Sequence, residues 1–307
     1  MNSLLQNTII DISHNHYDIF LNKDNVIGIG LGNKVKNGID TGETCIHVLV
    51  SKKIPTNDLN PSQKIPETYL GIKTDVIEAG IVKPFGLTDK VRPLICGYSI
   101  SPANTNYAGT AGAIVEDKEK NRYILSNNHV LANKNTMPIG TPILQPGVLD
   151  GSNSASNIVA YLHKFVVVNF PNSNSKPPNN YTDCAIALIK PNIDYSPLIN
   201  TIGAVKGIGD VSVGMGVKKS GRTSGYSTGK ISSTNVSIIV DFGNGTDPLF
   251  KEQIVTTSIA SPGDSGSLVV DNYNYAVGLL MSGSNQITVC NPIKRVLTFL
   301  NVNLVTS

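Results

Sequence analysis

Along the first twenty residues, apolar positions recur at helical spacing: Leu5, Ile9, Ile12, His16 and Ile19 or Phe20 fall on one face. This predicts an amphipathic helix over residues 4–21. Two strand-like runs follow, "VIGIGLG" and "TCIHVLVS", separated by a loop holding Asn37-Gly38. Asn-Gly between apolar runs is a hairpin signal, because both residues accept the positive φ of a tight turn. A polar, proline-bearing stretch leads to a further short strand, "TDVIEAG". These elements predict a small α/β leader domain over residues 1–88.

The stretch "IVKPFGLTDKVRPL" carries two prolines and no clear period, and reads as a linker. Beyond it the pattern changes to short apolar runs broken by Gly, Asn, Ser and Pro: "AGAIVED", "RYILS", "FVVVNF", "CAIALI", "VSIIVDF", "SLVVD" and "YAVGLLM". Such runs predict an all-β barrel or sandwich for residues 89–307. Only "NPIKRVLTFLNV" reads as a helix, while "PNSNSKPPNN" (171–180) and "GNGTDP" (243–248) read as surface loops. The leader is small enough to be marginal alone. Its stripe from Leu5 through Ile19 is therefore expected to dock on the outer wall of the larger domain.

Composition narrows the function. Hydrophobic residues make up 40% of the 307, and mean hydropathy is near zero, which supports sizeable cores. The net charge of +3 comes with scattered lysines, without a basic run, so nucleic acid is not the expected partner. Acid and histidine interrupt the opening residues where a secretory signal needs an apolar stretch, and no run approaches the ~18 apolar residues of a membrane span. The expected location is the cytoplasm, with release by a signal-less route left open. Cys45, Cys96, Cys184 and Cys290 each sit singly in apolar runs and read as reduced, buried thiols. Neither these nor the five histidines cluster at ligand spacing, so no metal and no cofactor are expected.

Three motifs look chemical and are read as backbone features. "GIGLG" (28–32) lacks the dinucleotide-binding spacing and precedes a hairpin instead of a helix. "GYSTGKI" (225–231) has three residues between glycines where a phosphate loop needs four, and reads as strand-turn-strand. "DTG" (40–42) falls in the hairpin and reads as a turn.

The stretch "SPGDSGSLVV" (261–270) sets Ser265 between Gly-Asp and Gly at the start of an apolar strand. An activated serine needs a base in reach and a third group to orient that base. An order with histidine after serine is excluded, because all five histidines lie at or before position 163. A nucleophile elbow is excluded too, since Ser267 stands where its last glycine belongs. The remaining order is His, Asp, Ser. His129 follows an apolar strand in "YILSNNHVLANKN", and Asp183 stands at the polar mouth of one in "YTDCAIALIK". Gly263 has no Cβ to block a carbonyl approaching the N–H groups of residues 263 and 265.

The segments "SNNHVL", "TDCAIAL" and "SPGDSGSLVV" resemble the trypsin/chymotrypsin-like serine peptidases. "YAGTAGAIVED", "GTPILQPGVLDG", "KSGRTSG" and "NPIKRVL" resemble a bacterial subgroup related to the plant narrow-leaf protein. The likeness covers roughly residues 95 to 300, and the leader resembles that subgroup's more weakly. It implies a mainly β fold of two six-stranded barrels, with a small N-terminal α/β domain, a C-terminal helix and peptide hydrolysis through an acyl-enzyme. By the same resemblance, Ser265 is the nucleophile, His129 the general base and Asp183 its orienting acid. Gly263 and Ser265 supply the oxyanion hole. Ile259 forms the base of the specificity pocket, and Met281, Ser282 and Gly283 its wall. An isoleucine there predicts a preference for apolar or small side chains over Lys or Arg.

Two departures from the family stand out. No activation sequence frees an N-terminus to pair with Asp264, and the usual disulfides are missing. Both point to a peptidase that folds ready-made, or one switched by a partner or by homo-oligomerisation. The implied substrate is a protein or peptide. Two other readings stay open: a catalytically silent protein that binds a peptide in the same cleft, and an esterase or acyl-transfer enzyme using the same three residues.

Overall fold

The apolar stripe at the start of the chain forms two helices instead of one, α1 (Ser3–Asn15) and α2 (Asp18–Leu21). A turn at His16–Tyr17 re-aims the chain, so that Phe20 is fully buried while Ile19 stays 42% exposed. In this computed structural model, residues 3–80, 86–171, 177–243, 245 and 247–306 are described. Part of the linker (81–85) and of the 171–180 and 243–248 loops lies outside them. The chain divides into two compact units, Met1–Pro84 and Phe85–Ser307.

In the first unit, β1 (Val26–Lys36) and β2 (Ile39–Val50) form an antiparallel hairpin. Asn37 (φ 53°) and Gly38 (φ 79°) make its turn, the positive-φ pair that matches strand twist. The strands β3 (Thr68–Tyr69) and β4 (Ile72–Glu78) complete a sheet of order β1-β2-β4-β3, in which β2 and β4 run parallel. Period-two alternation puts Ile46 and Val48 on the face that meets Ile9, Ile12 and Phe20. Burying each such side chain contributes about 1.5–3 kcal/mol. The unit's own sheet therefore covers most of the stripe, which removes the premise that the stripe needs an outside docking surface.

The second unit holds two barrels. Strands 99–102, 142–144, 158–165, 185–189 and 122–126 pair in succession. An interrupted strand, 109–110 and 113–116, joins the two ends by pairing 99–100 on one side and 122–125 on the other. The second ring runs 249–257, 225–239, 216–221, 268–271, 275–283 and 287–292, and the last strand pairs the first. Each ring has six strands, so neither leaves a long open edge. The C-terminal helix Ile293–Leu300 buries Ile293, Val296, Leu297 and Leu300 in the first barrel's core, although the second barrel delivers it.

Two runs differ from their sequence reading. "GYSTGKI" lies within the single strand Gly225–Ile239 and does not turn. "FVVVNF" leaves the sheet after Phe165. The Asn128 side chain donates to Val166 O (2.7 Å), and Asn135 bonds both Val168 O (2.8 Å) and Val168 N (3.0 Å). Asparagine side chains satisfy that backbone in place of a neighbouring strand.

Candidate active site

Strand register sets the first half of the site. Ala185 pairs Ser126, so the residues before one strand and after the other meet at the same end of the first barrel. Asp183 and His129 are those residues, with His129 on the single-turn helix Asn128–Leu131. The His129 backbone N–H donates to Asp183 Oδ1 (3.0 Å), and Nδ1 donates to Oδ2. A carboxylate can only accept, so Nδ1 carries the proton and Nε2 keeps its lone pair. Asp183 is fully buried, whereas the His129 side chain keeps 21% of its surface.

Sequence reading missed the groups that hold Asp183. The Asn127 amide donates to Asp183 O (2.7 Å), and Asp183 N donates to Asn291 Oδ1 (2.6 Å). Asn291 is itself oriented by Gln253 Oε1 (2.8 Å), and Gln253 donates to Tyr181 O (2.9 Å). This chain runs from the second barrel to the acid of the first. Replacing Asn291 with leucine is expected to lower turnover roughly 10–100-fold through misplacement of Asp183 and the His129 it orients. Peptide or ester turnover on the folded variant checks this.

Ser265 stands in a tight turn. Asp264 N donates to Ser261 O (3.0 Å), and Ser267 N to Asp264 O (3.0 Å). Gly263 (φ 101°) and Gly266 (φ 94°) both occupy the left-handed region. A Cβ on Gly266 would lie 2.1 Å from Ser126 Oγ, so that glycine lets the turn close on the first barrel. Pro262 O accepts from Thr223 Oγ1 (2.7 Å), Gly263 O from Thr110 Oγ1 (2.9 Å) and Ser265 O from Thr110 N (2.8 Å). With the carbonyl of Pro262 so held, planarity aims the Gly263 N–H to the opposite side of the peptide. Among the described residues, neither the Gly263 nor the Ser265 N–H has a hydrogen-bond partner. The Ser265 hydroxyl donates to Met281 O (3.0 Å).

Asp264, whose partner the sequence left open, is fully buried against fully buried Lys219 (Nζ–Oδ2 2.9 Å). It also accepts from the N–H groups of Thr223 (2.8 Å), Ser224 (3.1 Å) and Ser261 (2.9 Å), and from the Ser224 hydroxyl. Burial works to raise this carboxyl, but the Lys219 charge and the bonds from Ser224 and Ser261 outweigh it and hold it below its ordinary value. Burial pulls the Lys219 ammonium down, against the opposing Asp264 charge.

His129 and Ser265 line one cavity of about 530 Å³. Met281, Ser282 and Gly283 line it as well, with Val240, Asp241, Phe242 and Ala260. Ile259 does not. It is 4% exposed and packs in the second barrel's core with Val217, Ile231 and Leu280, and Ala260 takes the lining place. Phe242, at the end of a run read only as a strand, sets its ring edge-to-face on His129 (centroids 5.8 Å, 78°). Among the described residues, Cys45 and His47 also come together, with Asp75, contrary to the reading that no cysteine and histidine cluster.

The barrels match solved structures over most of the second unit. Thermobifida fusca Protease A has a TM-score of 0.51 at 22% identity, covering 70% of this chain and 99% of that one. Cellulomonas bogoriensis chymotrypsin has a TM-score of 0.50 at 20% identity, covering 70% and 99%. The Nocardiopsis protease NAPase has a TM-score of 0.50 at 19% identity, covering 69% and 99%. At these identities the likeness establishes a chymotrypsin-like fold. Comparison with curated proteins finds no match. The sequence pattern of the family described as Trypsin matches residues 97–303, more than half the chain. The chain belongs to the trypsin family of serine peptidases.

Proposed function

We propose that the protein is an endopeptidase that cleaves protein or peptide bonds through an acyl-enzyme on Ser265. The carrying observation is the two-point hold of Asp183 on His129, with His129 and Ser265 lining one cavity. In this reading the Nε2 lone pair takes the Ser265 proton as Oγ attacks the scissile carbonyl. Asp183 stabilises the imidazolium that forms, and the proton passes to the leaving amine. The N–H groups of Gly263 and Ser265 receive the oxyanion, and water then repeats the sequence to release the acid. The motifs "GTPILQPGVLDG" and "KSGRTSG" support placement in the bacterial subgroup related to the plant narrow-leaf protein.

One observation favours the second reading, a silent peptide-binding protein: Ser265 Oγ donates to Met281 O and not to His129. Labelling with a fluorophosphonate probe distinguishes the two. Labelling abolished by Ser265→Ala is expected, and an unlabelled, folded wild type would support the silent cleft.

Specificity follows from the lining. Ala260, Leu280 and Met281 are apolar, and Asp241 Oδ1 already accepts from Gly243 N (2.6 Å). Small or apolar side chains are expected before the scissile bond, because an ammonium set against Ala260, Leu280 and Met281 would lose several kcal/mol of solvation. A peptide-library profile dominated by Lys or Arg would contradict this.

A further inference from the structure

We propose that Cys45, His47 and Asp75 form a binding site for a divalent, borderline-soft transition-metal ion, with zinc the natural fit. Cys45 and His47 are two apart on β2, so they share the sheet face turned away from α1 and α2. Asp75 on β4 is the register partner of His47 and joins them on that face. The thiol sulfur, an imidazole nitrogen and a carboxylate oxygen all lie within 4.8 Å of one another. Ligands at about 2.0–2.3 Å from a tetrahedral zinc stand about 3.3–3.7 Å apart, so contraction by an ångström or so closes the site.

Three further observations distinguish this cluster from a chance hydrogen-bonded group. First, the His47 Nε2 proton is donated to Asn33 O (2.6 Å). A carbonyl only accepts, so Nδ1 keeps its lone pair, the arrangement by which metal-bound histidines are oriented. Second, Asp75 Oδ2 accepts from Val35 N (2.8 Å), which anchors one carboxylate oxygen and leaves the other available. Third, none of the three side chains hydrogen-bonds another among the described residues, although they converge and Cys45 is fully buried. Gly32 makes room for this arrangement, since a Cβ there would lie 2.2 Å from the His47 ring. A thiolate and a carboxylate balance a dication, and a water completes four-coordination. Such an ion would pin β4 to β2 independently of peptidase chemistry.

The test uses the full chain, stripped with a chelator and titrated with Zn²⁺ alone or Co²⁺ alone. One equivalent of Co²⁺ is expected to give thiolate-to-cobalt charge-transfer absorption together with tetrahedral visible bands. Cys45→Ser should abolish the charge-transfer absorption and weaken Zn²⁺ binding at least ~100-fold. Gly32→Ala keeps all three ligands, yet should weaken binding by displacing His47. Zn²⁺ should also slow amide exchange in β2 and β4 of the wild type. Wild-type protein without the charge-transfer absorption overturns the proposal, and this readout needs no variant to fold. Unchanged Zn²⁺ affinity in Cys45→Ser also overturns it, and would place the ion elsewhere, such as the exposed His16–Asp11 pair (3.9 Å).

Discussion

Ser265→Ala and His129→Ala are each expected to lower turnover by roughly 10⁶, with the double variant little worse, because nucleophile and base act as a unit. Asp183→Asn is expected to lower it by about 10⁴ and to leave the fold intact. The asparagine can still accept the His129 backbone N–H with its carbonyl. Its amide then faces Nδ1 as a donor, which favours the tautomer with the proton on Nε2, where the serine proton must go. The Asp183 backbone bonds to Asn127 and Asn291 do not depend on the carboxylate, so the loop should hold. Single-turnover kinetics on an activated ester would separate acylation from release. Strictly additive losses for Ser265→Ala and His129→Ala would mean that the two do not cooperate. Full activity in Asp183→Asn would assign the orienting role elsewhere.

Where local chemistry dictates geometry, the fold was legible in the sequence. Asn37-Gly38 specifies a turn by itself, and alternating apolar runs bounded by Gly, Asn and Pro specify short strands. The run "FVVVNF" failed because periodicity reports burial, not the identity of the hydrogen-bond partner. Asn128 and Asn135, some thirty residues earlier, satisfy that backbone. The break at His16–Tyr17 was also hidden, since a continuous apolar stripe does not show where the chain must turn to bury Phe20. Local flanks carried the residues that line or orient the cavity. The groups behind them come from distant sequence, as Asn291 does for Asp183. Ile259, placed at the pocket base by resemblance, packs in the second barrel's core beside the lining residue Ala260. Cys45 and His47 already alternate onto one face of a strand, but their third partner, Asp75, reaches them only through the pairing of β2 with β4.

Lys219 was the residue most open to detection: in "GVKKSG" it stands two from Val217 on a strand, hence on the same buried face. Replacing it with methionine is expected to destabilise the second unit by about 3–5 kcal/mol, because the buried Asp264 carboxylate loses its cation. The remaining bonds from Thr223, Ser224 and Ser261 place the effect toward the lower end. Turnover is expected to fall as well, by up to about 10²–10³, the loss seen when one oxyanion-hole donor is removed. Asp264 lies between Gly263 and Ser265, so loosening its side chain relaxes the fixed directions of both N–H groups. The pH dependence has a definite sign. In the wild type the Asp264 carboxyl is held below its ordinary value. Its contribution is therefore complete above the unfolded value of about 3.9 and fades as pH falls through the lower folded value. In Lys219→Met the carboxyl gains a proton more readily, which removes the unpaired charge in acid. The stability gap between the two proteins should thus be widest near neutral pH and narrow below about pH 4. Adding Asp264→Asn to Lys219→Met removes the unpaired charge at every pH, and should restore stability at neutral pH without restoring the rate. Denaturant melts between pH 3 and pH 8, paired with turnover, test this. A Lys219→Met protein that matches the wild type in both would show that the ion pair does not hold the turn around Ser265.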